Sequence, residues 1–258
     1  KSAGGHGIHL WNADAARART LREPHYFQQH IIGTPYSALF VGAPLGARLI
    51  GLSRQLVGEP AFGAAHSSYC GSIGPVDLEP AIVRQIERAG TSIALGGNLR
   101  GLFGIDLVCD GRHAFPIEVN PRYTASVEIF ERAWGLSLLD WHRRACRSAG
   151  TDSDGERLDA DISAKLQRTR TLPTRTVFGK AVLFAAAPIR VPFLEELLAT
   201  ESGARRVELA DRPPCGTPVA AGRPICTLLT EASDVDDARS ALVENAQTLY
   251  GLLTAAAD

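Results

Sequence analysis

The chain has 258 residues, 45% hydrophobic and 21% charged, with a net charge of −1 from 27 basic and 28 acidic side chains. Such usage excludes a disordered, collagenous or coiled-coil chain, and the near-zero charge gives no global basic field for nucleic acid or an anionic membrane. The length suits one large domain or two of modest size.

Only Lys1, Lys165 and Lys180 of the 27 basic residues are lysines, which leaves 24 arginines. No run of apolar residues approaches the length of a membrane-spanning helix, and none has the charged flank of a signal peptide. The five cysteines (70, 109, 146, 215 and 226) are odd in number, widely spaced and never CxxC. That pattern reads as reduced thiols of a cytoplasmic protein. Methionine is absent and the chain opens on Lys1 inside what reads as a motif. Two explanations stay open at this stage: an upstream piece is missing, or methionine positions have been lost.

In chain order, KSAGGHGIHLW is a small-residue turn leading into a helix-compatible stretch, Asn12 to Arg22. HYFQQHIIGTPYSALFVGAP reads as a strand, a turn at Gly33-Thr34-Pro35 and a second strand, and 47–58 continues with strand character. The Gly/Ser/Tyr-rich patch 63–75 reads as a loop. Apolar spacing predicts a helix from Leu78 to Ala89, ended by Gly90. GLFGIDLVCD and HAFPIEVN then flank a turn at Asp110-Gly111-Arg112, with Pro116 marking an edge strand or a bulge. Residues 125–149 are helical by periodicity, with Trp134 and Trp141 most simply core. The charged, aromatic-poor stretch 147–174 reads as a linker or surface insertion. Three strand-like segments follow (TVFGKAVLFAA, RRVELA, PICTLLTEA), and then a final helix from about Asp234 to Ala256, with Ser233 as its cap and Asp236 as the reciprocal partner.

The strongest chemical pattern is the hairpin. Residues 118, 120 and 122 alternate on one strand face, and the turn brings Asp106 alongside on the neighbouring strand. Asp106, Glu118 and Asn120 form an oxygen-rich set suited to Mg²⁺, with Mn²⁺ an alternative, and Arg122 can hold a phosphate or acyl oxyanion. The competing reading is a solvated polar face. The opening Lys1-Ser-Ala-Gly-Gly-His-Gly is a weaker pattern: glycine N–H groups can approach a phosphate, but this is neither a P-loop nor GxGxxG. Arg54 in GLSRQL can reach a phosphate or acid substrate, and a surface arginine is an equal reading. His66 and Cys70 have no further ligands near them in sequence, and His6 reads as an exposed loop histidine.

The order of Lys/Gly-rich loop, QQHIIGTPYS, and GIDLVCDG followed by FPIEVNPR resembles the ATP-grasp superfamily over residues 1 to about 142. GLSRQLVG with YCGSIGP is similar to ATP-grasp ligases related to biotin carboxylase, some of which accompany methanopterin-linked one-carbon genes. Residues 175–258 resemble the small C-terminal domain of biotin-carboxylase-like members. The resemblance implies an α+β ATP-grasp fold with a small β-rich C-terminal domain, divided as 1–146 (its N-terminal part missing), 147–174 and 175–258. It implies that Lys1 contacts the α/β-phosphates, that Gly4, Gly5 and Gly7 cover them, and that Gln28, Gln29, His30 and Ile31 line the adenine. It implies Mg²⁺ held by Asp106, Glu118 and Asn120, with Arg122 as a catalytic residue; Arg54, read from its own segment, is the second catalytic candidate. The implied activity is carboxylate–amine ligation at the expense of ATP on small molecules, through an acyl phosphate, in a protein whose relatives often form homodimers. Where the family carries an acid in the hinge, this chain has Gln28. A non-catalytic nucleotide-binding or regulatory subunit with the same fold is the alternative.

Overall fold

The computed structural model describes Ile8, Trp11 and residues 26–147, 152–170, 176–192 and 207–255. Lys1, Gly4, Gly5, Gly7 and the expected helix Asn12 to Arg22 lie outside the described residues.

The described strands are β1 (Thr34–Ala43), β2 (Gly46–Val57), β3 (Tyr69–Gly74), β4 (Gly101–Cys109), β5 (Ala114–Asn120), β6 (Val177–Phe184), β7 (Ile189–Arg190), β8 (Val207–Ala210), β9 (Pro218–Val219) and β10 (Pro224–Ala232). The described helices are α1 (Pro80–Gly96), α2 (Ser126–Trp134), α3 (Leu138–Arg147), α4 (Asp152–Arg170) and α5 (Val235–Ala255). None is long and apolar enough to cross a membrane. Eight strands make one sheet in the order β5-β4-β1-β2-β3-β6-β10-β8, and β7 pairs with β9. Every described pairing is antiparallel.

The alternation of buried side chains assigns each helix to a face. Ala38, Phe40, Leu52, Phe103, Ile105 and Leu107 pack with Ile82, Ile86 and Ala94 of α1. Leu56, Ile73, Ala181 and Leu183 continue that face toward Ala238, Leu242 and Leu249 of α5. On the other face Leu39, Val41 and Leu102 meet Val127 and Phe130 of α2, Trp141 of α3, and Leu158, Ile162 and Leu166 of α4. The helices of this second face cover the apolar ends of β1 and β4. The polar ends of the same strands emerge beyond the start of α2.

Several expectations change. Tyr69–Gly74 in the expected loop 63–75 is a strand, inserted between β2 and β6, where its glycines allow close backbone approach: a Cβ on Gly71 would lie 2.1 Å from the carbonyl oxygen of Lys180. The first helix runs past Gly90, because Gly90 faces the Phe40 ring and the apolar stripe continues to Ala94. The periodic stretch 125–149 is broken into two helices at Gly135, which takes φ +62°. Most of the expected linker 147–174 is helical, since Leu158, Ile162 and Leu166 recur four residues apart and are buried despite the charged composition around them. The cap of the last helix is Asp234, whose carboxylate accepts the N–H of Asp237 at 2.8 Å; the Ser233 hydroxyl turns to the Asp234 and Asp237 carboxylates instead. All five thiols are free, those of Cys70, Cys109 and Cys226 buried.

Candidate active site

The site forms where the polar ends of β4, β1, β2 and β5 share the α2 side of the sheet. Register sets it. Asp106 is opposite Ser37 on β1 and Glu118 on β5, while Asn120 stands opposite Gly104. Directly opposed residues of antiparallel strands project to the same side, so Asp106, Glu118, Asn120 and Ser37 share a face. Pro116 lies in β5, which forms the sheet edge and carries a register shift between Asp106 and Leu107. Arg122 follows the strand end.

Hydrogen bonds lock these groups together. Asn120 Nδ2 donates to Asp106 Oδ2 at 3.1 Å, and Gln55 Nε2 donates to Asp106 Oδ1 at 2.9 Å. Arg122 Nη2 donates to Asn120 Oδ1 at 3.1 Å and Nη1 to the Tyr123 carbonyl at 3.1 Å. The Ser37 hydroxyl also bonds to Asp106. Burial pushes the Asp106 pKa above the ordinary carboxylate range, and the charge of Glu118 adds to the rise; hydrogen bonds from Ser37, Gln55 and Asn120 offset only part of it. Glu118 is exposed and has no hydrogen-bond partner among the described residues.

The donor set fits a divalent cation. Two carboxylates repelling each other, one of them half-desolvated, gain from a positive charge between them, and the Asn120 oxygen aimed at Arg122 is a further hard ligand. Among the described residues no three His, Cys, Asp or Glu side chains converge on a metal position. A cation here would therefore complete its shell with water and phosphate oxygens, as Mg²⁺ commonly does.

The remaining sequence-derived residues fall differently. Gln28, Gln29 and His30 are exposed and Ile31 is half-buried in an extended segment that leads into β1. Gly33 seats this segment against the end of β4, where a Cβ would lie 2.2 Å from the Cys109 carbonyl oxygen. Ser37 lies four residues beyond Gly33, so the segment enters the sheet about 13 Å along the strand from Asp106. Arg54 is not brought into the cluster. It stands opposite Tyr36 and Ile73, on the α1 face of the sheet. His66 and Cys70 form no ligand group.

Residues that local sequence did not flag complete the polar row. Gln55 stands opposite Ser72, and Ser72 opposite Lys180. The Tyr69 hydroxyl lies 2.9 Å from the Ser72 hydroxyl, and burial pushes the Tyr69 pKa up to about 12, so the phenol stays protonated. Lys180 donates to Glu128 of α2 at 2.8 Å. Gln55 and Asp106 are 51 residues apart. No local pattern signals such a pair; only the strand order does. A cavity of about 770 Å³, lined by Val182, Arg212, Arg223 and Thr227 among others, lies away from Asp106 toward β10.

Residues 1–126 match a family model described as an ATP-grasp domain. Over these residues the chain is similar to an ATP-grasp domain. Its model match includes the hairpin bearing Asp106, Glu118, Asn120 and Arg122, and solved ATP-grasp ligases share the fold. The L-amino acid ligase from Bacillus licheniformis matches with a TM-score of 0.59 and 14% identity, over 85% of this chain and 53% of that one. Phosphoribosylglycinamide synthetase from Anaerococcus prevotii gives 0.55 and 11%, over 84% and 53%. N5-carboxyaminoimidazole ribonucleotide synthetase from Thermotoga maritima gives 0.53 and 15%, over 83% and 51%. Identities this low establish the fold alone, and this chain spans about half the length of these three proteins. No curated protein matches the chain in sequence.

Proposed function

We propose that this chain is the nucleotide- and metal-binding part of an ATP-dependent ligase that joins a small-molecule carboxylate to an amine through an acyl phosphate. The observation that carries the reading is the bonded set Arg122–Asn120–Asp106–Gln55 with Glu118 beside it on one sheet face. Asp106, Glu118 and Asn120 would hold Mg²⁺, which when bound offsets charge on the nucleotide phosphates. In this reading Gln28, Gln29, His30 and Ile31, in the extended segment that leads into β1, are assigned to the adenine, and Lys1, Gly4, Gly5 and Gly7 to the phosphates.

Arg122 is already oriented by two hydrogen bonds, so its remaining N–H groups are free to meet a transferring phosphoryl group without reorganisation. Catalysis of this type is positioning plus electrostatic stabilisation. The substrate carboxylate oxygen attacks the γ-phosphorus, ADP leaves, and the amine then displaces phosphate from the acyl phosphate to form the amide. Arg54, on the other sheet face, has no part in this account.

The test is trapping with hydroxylamine. Chain, Mg-ATP, a panel of carboxylic acids and hydroxylamine should give a hydroxamate together with one ADP, and Glu118→Gln should abolish both. Hydroxamate formed equally by Glu118→Gln would sink the assignment. Metal-dependent ATP binding with no hydroxamate from any acid would favour the nucleotide-binding scaffold over the enzyme.

A further inference from the structure

The geometry points to Lys180 as a positioning residue for a second anionic group of the substrate, at the opposite end of the polar row from the metal-binding carboxylates. The inference rests on the ligase reading and narrows its substrate class: the acid or the amine carries a carboxylate or phosphate remote from the reacting atom.

Lys180 reaches the site face through a chain of registers. It stands opposite Ser72 on β3, Ser72 stands opposite Gln55 on β2, and Gln55 donates to Asp106 at 2.9 Å. Tyr69, bonded to Ser72 at 2.9 Å, lies within electrostatic reach of both Asp106 and Glu128. The row is therefore polar from end to end, with acids at β4 and β5, an amide and hydroxyls in the middle, and a cation at β6.

The Lys180 side chain is 16% exposed, enough to be reached and too little to be well hydrated. Its bond to Glu128 at 2.8 Å does not saturate either partner's surroundings. Glu128 also accepts from Arg132 Nε at 3.1 Å, and Arg132 in turn makes two bonds to Glu208, at 2.8 and 3.1 Å. The Glu128 charge is met without Lys180, and the ammonium has three donors with one acceptor among the described residues. A half-desolvated ammonium with spare donors favours an anion beside it, and the hydrogen-bonded hydroxyl pair of Ser72 and Tyr69 continues the same polar row. Four strand steps of about 4.8 Å separate β4 from β6, so the second anion would sit on the order of 10–19 Å from the metal-binding end. A Lys180 serving only to clamp α2 to β6 would affect every ligand alike. A positioning residue affects dianions selectively.

The experiment is a calorimetric titration of the whole chain, with Mg²⁺ and a non-hydrolysable ATP analogue present. The probes are succinate, glutarate, adipate and 3-phosphonopropionate, against the monoanions succinamate, glutaramate and propionate. At least one dianion should bind about tenfold or more tighter than its monoanionic counterpart. Lys180→Gln should erase that preference while leaving monoanion affinity unchanged, and Lys180→Arg should retain most of it. The carboxylate and phosphonate arms identify which anion is preferred. Equal binding of dianions and monoanions by the wild-type chain overturns the proposal without any variant, as does a preference that survives in Lys180→Gln. Failure of the ligase reading shows up elsewhere, as analogue binding that ignores both Mg²⁺ and Glu118→Gln.

Discussion

Asp106 is held in a position that folding alone does not favour. Burial and Glu118 both raise its pKa, so its charge is carried at a cost that a bound cation would relieve. Asp106→Asn should therefore leave the melting temperature of the ligand-free chain unchanged or raise it, while removing Mg²⁺-dependent nucleotide binding. A large drop in melting temperature would contradict the account. Arg122→Ala should lower turnover by about a hundredfold or more with nucleotide affinity changed far less, the mark of an interaction made chiefly in the transition state. Asp110 illustrates the opposite electrostatics. Its carboxylate accepts the N–H groups of Arg112 at 2.8 Å and His113 at 2.7 Å, which holds its pKa below the usual carboxylate range. A folded-state pKa that is depressed contributes stability present above about pH 4 and lost as pH falls through the lower folded value. Urea midpoints followed from pH 7 to pH 3 should fall less steeply in Asp110→Ala than in the wild type.

At the scale of elements, the hairpin β4–β5 was legible from the sequence. Alternation and a strong Asp-Gly turn fix it locally, and the carboxylates follow from its register. What the sequence concealed depends on distant partners. Tyr69–Gly74 looks like a loop because its small residues make room for neighbouring strands, and Gln55 acquires meaning only when β1 separates β2 from β4. The helix Asp152–Arg170 hides three buried apolar residues in a charged stretch, so composition outweighed its period. Leu158→Ala and Ile162→Ala should each cost about 2–4 kcal/mol in urea unfolding, the penalty of a core cavity; values near zero would restore the reading of this stretch as a linker. Gly90 sets two effects against each other. Alanine there gains about 1 kcal/mol of helix propensity, but its Cβ would meet the Phe40 ring at 2.2 Å. Overpacking of this kind costs about 1–3 kcal/mol, so Gly90→Ala should be net destabilising.

For the molecule as a whole, the sheet is continuous across the boundary expected near residues 147–174. Four register pairs join β3 to β6, and Lys180 and Arg132 tie α2 to β6 and β8. The polar row from Glu118 to Lys180 depends on both halves being present. Urea unfolding should accordingly be a single transition by fluorescence and circular dichroism, and a chain ended at Arg147 should expose the β3 edge and aggregate. The most direct measurement of the central claim is calorimetric titration of ATP with and without Mg²⁺, in the wild type and in the double variant Asp106→Asn/Glu118→Gln. The account predicts binding that requires Mg²⁺ and is lost in the double variant. Binding of equal strength with and without the metal, unchanged by the two substitutions, would contradict it.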